Sequence, residues 1–159
     1  MSWHVRIKVV TKRYSKGWQL VFDEYSDKLK ENVCRGGGLD FPGVEKRLYD
    51  VPEEVRKLVE TEEGTEWEYH DAGTLGKIEE KFRGQFYAAI GDRARIEHFV
   101  SSPEYWKLTE KEKKNVEKDF MEARGSVEYS EALWNDAKML LDLVSFFEDE
   151  TYMAIAGVG

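Results

Sequence analysis

His4-Val5-Arg6-Ile7-Lys8-Val9-Val10 alternates apolar and polar side chains, the period of a strand covered on one face. Val5, Ile7 and Val9 fall on one side, His4, Arg6 and Lys8 on the other. Beyond a polar turn at Lys12–Gly17 the alternation resumes over Trp18–Phe22, with Trp18, Leu20 and Phe22 together and Gln19, Val21 and Asp23 opposite. Two such runs joined by a short polar turn predict a β-hairpin.

The far end of the chain has the other period. Over Ser130–Glu148, Leu133, Ala137, Leu140, Leu141, Val144 and Phe147 lie on one helical face, and Tyr152–Val158 then predicts a closing strand. Strands gather in the first half and helices in the second, without βαβ alternation. The expected fold class is α+β: a small, mostly antiparallel sheet, made of the N-terminal hairpin and one or two further strands, packed against a helical C-terminal half.

Local signals fill the middle. Ser26 can cap a short helix through Val33, which Arg35-Gly36-Gly37-Gly38 would end because glycine carries a large backbone entropy. A loop then runs to Gly43, and Val44–Val51 is ambiguous, with possible strand alternation at Val44, Lys46, Leu48 and Asp50. Asp50 and Glu53 have capping-box spacing and Pro52 suits a first turn, so a helix is expected over Pro52–Thr61. Thr65–His70 reads as an exposed strand, with Trp67 and Tyr69 facing away from Glu66, Glu68 and His70. Leu75, Ile78, Phe82, Phe86 and Ile90 mark a helix stopped at Gly91, and Asp92 opens a shorter one. Ser102-Pro103 restarts the chain through Trp106, and Thr109 with Glu112 opens a mostly solvated helix to about Arg124.

The 159 residues suit one domain over 1–159, with 41% hydrophobic and 13% aromatic residues and no internal repeat. The single cysteine, Cys34, excludes a disulfide framework and a cysteine-based zinc site and fits a reducing, cytoplasmic compartment. No apolar run is long enough to cross a bilayer, and Met1–Lys12 carries charge where a leader would be apolar. The net charge of −8 weighs against nucleic acid and toward a protein partner with a basic surface. Charge is also unevenly placed: Met1–Gly17 has five bases and no acid, whereas Glu128–Gly159 has seven acids and only Lys138.

Catalytic signatures are sparse. Gly36-Gly37-Gly38 lacks the Lys-Ser or Lys-Thr pair of a phosphate loop, and no Gly-x-Ser-x-Gly segment occurs. The histidines lack helical metal-site spacing, no carboxylate pair stands out, and neither a metal nor a cofactor is expected. His70-Asp71, beside a turn, is the best acid–base pair. With Arg35, Gly36, Gly37 and Gly38 it forms one alternative, a small enzyme or a nucleotide or anionic-ligand domain closed by the loop 35–43. Arg6, Lys8 and Arg13, interleaved with aromatics, form another, a single-strand binding surface.

The leading expectation is a small acidic intracellular protein that binds, and so inhibits or regulates, another protein, as inhibitor, immunity-type or viral accessory proteins do. Its expected contacts are Tyr105, Trp106 and Trp134 with an acidic helical face at Glu148, Asp149 and Glu150. Five Trp, eight Tyr and eight Phe exceed what the core must hold, and such side chains dominate binding hot spots. Tyr105-Trp106 and Tyr14 with Trp18 are the expected exposed positions.

Overall fold

The alternation at the N-terminus forms the strand it predicts, and the last segment of the chain pairs beside it. The computed structural model describes residues 4–27, 29, 34–35, 38–39, 48 and 50–158. In chain order these form β1 (His4–Thr11), β2 (Gln19–Ser26), β3 (Cys34–Arg35), β4 (Gly38–Leu39), α1 (Glu53–Val59), β5 (Glu68–His70), α2 (Ala72–Val100), α3 (Pro103–Trp106), α4 (Glu110–Ser145) and β6 (Thr151–Val158). The main sheet is four-stranded and antiparallel in the order β2-β1-β6-β5, and β3 and β4 make a separate ladder. The fold is α+β, with helices in the C-terminal half.

Opposed residues of antiparallel neighbours share a face, so the register sorts the sheet into two. Arg6, Lys8 and Val10 stand opposite Ala156, Ala154 and Tyr152, and Tyr69 of β5 opposes Ala154. This face packs with α1: Val10, Tyr69, Ala154 and Ala156 join Val51, Val55, Val59 and Trp67 in one buried cluster. The other face holds Val5, Ile7, Val9, Met153, Ile155 and His70. Leu75 and Ile78 early in α2, and Ala137, Leu140 and Val144 late in α4, are buried in the same unit.

Contacts divide the chain into two units, although composition pointed to one domain over 1–159. A sheet unit comprises Met1–Glu79 with Asn135–Gly159, and a helical unit comprises Glu80–Trp134.

Several elements differ from expectation. A register shift after Val9 pairs Val9 with Phe22 but Val10 with Leu20, so Leu20 and Phe22 take opposite faces and Leu20 is left exposed. β2 also continues to Ser26; the helix expected from Ser26 to Val33 falls mostly outside the described residues, as do Gly36, Gly37 and 40–47. Leu48 makes an isolated bridge to Tyr69, its N–H donating to the Tyr69 carbonyl at 2.7 Å. The cap of α1 is Pro52, without a side-chain bond, so Asp50 and Glu53 close no capping box. Trp67 and Tyr69 do face away from Glu68, but both are buried, and so is His70.

Gly91 and Gly125 lie inside uninterrupted helices of 29 and 36 residues. Glycine in a helix interior costs about 1 kcal/mol, too little to break a helix with good formers on both sides. The boxes that do form are tight: Thr109 N–H donates to Glu112 Oε1 at 3.0 Å, and Glu112 N–H to Thr109 Oγ1 at 3.2 Å.

Candidate functional site

His70 and Asp71 do not assemble an acid–base pair. His70 is fully buried, both ring nitrogens lack a hydrogen-bond partner among the described residues, and Glu68 Oε2 lies 3.5 Å from Nε2. Asp71 is occupied as a helix cap: its Oδ1 accepts the Thr74 N–H at 2.9 Å, and Thr74 Oγ1 accepts the Asp71 N–H at 3.0 Å. The imidazole is thus buried, and the carboxylate uses Oδ1 as a helix cap. Of the glycine-loop alternative, the backbones of Arg35 and Gly38 pair in the β3–β4 ladder, whereas Gly36 and Gly37 are outside the described residues. Among the described residues no group of three or more His, Cys, Asp or Glu is placed to hold a metal.

The N-terminal bases meet partners inside the sheet unit. Arg6 grips Asp23 through Nε and Nη2 at 2.8 and 2.9 Å and reaches Glu62 at 2.5 Å through Nη1. This bidentate pair holds the Asp23 carboxyl below its ordinary pKa. Lys8 is buried, its Nζ donating to the Val59 carbonyl at 2.9 Å and to Thr61 Oγ1 at 3.3 Å, with the Trp67 ring 5.0 Å away. Arg13 donates to the Phe146 carbonyl at 2.7 Å and lies against the rings of Tyr14 and Phe146. A strand whose cations are spent in this way presents little to a phosphate backbone.

Glu148, Asp149 and Glu150 are exposed, but they are not on a helical face, because α4 ends at Ser145. Glu148 takes a positive φ of 51° in the connection to β6. Lys12 Nζ lies 3.5 Å from Glu150 Oε2, so part of this acidic segment is answered by the basic N-terminal segment. Together with Asp71 these acids line a cleft of about 430 Å3 beside the start of α2. Among the described residues no helix is long and apolar enough to cross a membrane.

The helical unit holds exposed Tyr87, Phe99, Trp106 and Tyr129, and the sheet unit exposed Tyr14, Tyr25 and Phe146. Ser102 precedes Pro103 at the first turn of α3, and this short helix presents Trp106, which is 70% exposed. Tyr105 stands edge-on to Trp106 at 5.5 Å and to Phe99 at 6.2 Å. Lys113 Nζ sits 5.6 Å from the Tyr105 ring and 5.2 Å from that of Trp106, fixing the pair by cation–π attraction. Tyr105 is half-buried beside a cavity of about 490 Å3. Trp134 is half-buried, stacked on Phe86 at 5.3 Å, so it serves packing and offers little free surface. Of the other expected pair, Tyr14 is exposed and Trp18 is half-buried against Tyr152.

A groove of about 770 Å3 runs along the same unit between α2 and α4. Its lining includes the small residues Ala88, Ala89, Ala123 and Ser126 and the acids Asp92, Asp119 and Glu122. The sequence reading missed these positions. The signal was present as Ala123, Ser126 and Ser130 at spacings of three and four, but the solvated helix was read only to about Arg124, with Val116, Phe120 and Ala123 as its apolar line. Comparison with protein-family models, with curated proteins and with solved structures found no match.

Proposed function

We propose that this protein acts by binding another protein through its helical unit, with Trp106 as the anchor, and thereby inhibits or regulates that partner. The supporting observation is the exposed Trp106 held beside Tyr105, Phe99 and Lys113. A large apolar ring kept in water and oriented by its neighbours is the type of side chain that dominates binding interfaces, because it delivers contact area at small entropic loss. The net charge of −8 favours a partner with a basic surface, which it would steer from a distance. A cytoplasmic setting, which the single cysteine fits, belongs to the same proposal.

The test places a photo-crosslinking residue at position 106, and a second at exposed Lys57 as a control, in the full chain. A partner captured from position 106 alone is then measured against Trp106→Ala. The expected loss is about 2 kcal/mol, roughly thirtyfold in Kd, with an unchanged circular dichroism spectrum. No capture at 106, or equal affinity for the variant, overturns the reading.

A further inference from the structure

We propose that the groove along the helical unit seats one amphipathic helix of the partner protein, about four turns long, with lysine or arginine on its flanks. This rests on the binding function argued above and names the chemistry of what is bound.

Length comes from the lining. It extends from Gln85 to Phe99 on α2 and from Val116 to Ser130 on α4, which at 1.5 Å per residue is about 21 Å, or four helical turns. Its small residues explain why a helix fits. Ala88, Ala89, Ala123 and Ser126 are short enough for a third backbone to come close, while Ile96, Phe99 and Val116 offer larger apolar contacts toward one end. Few apolar side chains of this unit are buried, namely Phe82, Ala89, Ala123, Val127 and Leu133. Two helices joined by so thin a seam leave apolar surface that a third helix can cover.

Charge selects the occupant. Three acids line the groove against one base, Arg95, and that base is already paired with Asp92. Asp119 and Glu122 form no ion pair among the described residues, and Lys118, one turn before Glu122, does not line the groove. Two copies of this chain packed groove to groove would set these acids against themselves, which disfavours a second copy as the occupant. A helix flanked by bases meets Asp119 and Glu122 with an opposite charge.

The experiment uses the full chain and a designed amphipathic peptide of about 14 residues, with leucines at helical spacing and lysines on the flanks. A counterpart carries glutamate for lysine. The lysine peptide is expected to bind, with amide shift changes concentrated in 85–99 and 116–130, and the glutamate peptide to bind at least about tenfold more weakly. Asp119→Lys with Glu122→Lys should cost about tenfold, whereas Glu54→Lys with Glu131→Lys, an equal change of net charge away from the groove, should cost less than about twofold. Equal affinity for both peptides, equal losses in both double variants, shifts mapping elsewhere, or a dimer in sedimentation with the groove covered would each overturn the proposal. If neither peptide binds while position 106 still crosslinks a partner, the groove assignment falls and the binding function stands. If the peptide seats in the groove but position 106 captures nothing, the Trp106 anchor falls instead.

Discussion

Lys8 places a charged nitrogen where the alternation of β1 predicts exposure to water. Its Nζ is satisfied by the Val59 carbonyl at the end of α1, by Thr61 and by the Trp67 face, so it acts as a cap and clamp for that helix. Burial, and after it the charge of Arg6, pushes its pKa below the ordinary lysine value. An unfolded chain therefore binds more protons than the folded one between that lowered value and about 10.4, and stability rises with pH across this window. Lys8→Met keeps the apolar stem and should abolish that alkaline rise in a series of thermal melts from pH 7 to 10. At pH 7 its cost should stay within about 1 kcal/mol, because relief of the buried charge offsets the lost bonds. Lys8→Ala, which also removes the stem, should cost about 2 kcal/mol. A Lys8→Met protein that keeps the full alkaline rise would show that another group is responsible. Lys8 and His70 were misread for one reason: alternation shows which side chains share a face, but not which faces a later helix will cover. Val5, Ile7 and Val9 were legible as inward because apolar character alone decides them.

Elements were legible where a chemical signal was local. The Thr109–Glu112 box, the Ser102-Pro103 restart and the closing strand all form as their residues direct. Helix length was not legible: Gly91 reads as a stop and the later helix as ending at about Arg124, whereas Gly91 and Gly125 are carried through by the hydrogen-bond ladder on either side. Both have only open space where a Cβ would be added, and neither has a positive φ. Gly91→Ala and Gly125→Ala should therefore each stabilise the chain by about 0.5–1 kcal/mol, read as a higher urea midpoint at unchanged m. A lower midpoint would mean that one of these glycines serves a bend or a close approach that the open space does not reveal. The groove was hidden for a related reason: its lining includes small residues, and a pattern of small residues marks neither a core nor a polar surface.

For the molecule as a whole, the uneven distribution of buried residues says more than net charge does. The expected segregation into a basic end and an acidic end is blunted where Arg6 meets Asp23 and Glu62, where Lys12 meets Glu150, and by helical pairs such as Arg124 with Glu128. Burial, by contrast, is strongly uneven. Among the described residues the sheet unit contains all but five of the buried apolar side chains, and two of the five in the helical unit are alanines. Opening free energy follows buried apolar contact, so amides of 80–134 should exchange through openings about 2 kcal/mol cheaper than those of β1 and β6. Native-state hydrogen exchange at low denaturant reads this directly. Adding the lysine-flanked peptide should raise protection in 85–99 and 116–130 toward that of the sheet, through the mass action of a ligand that binds only the closed form. Equal protection along the whole chain without peptide would mean that the two units open as one. It would remove the argument that the thin seam of the helical unit awaits a third helix.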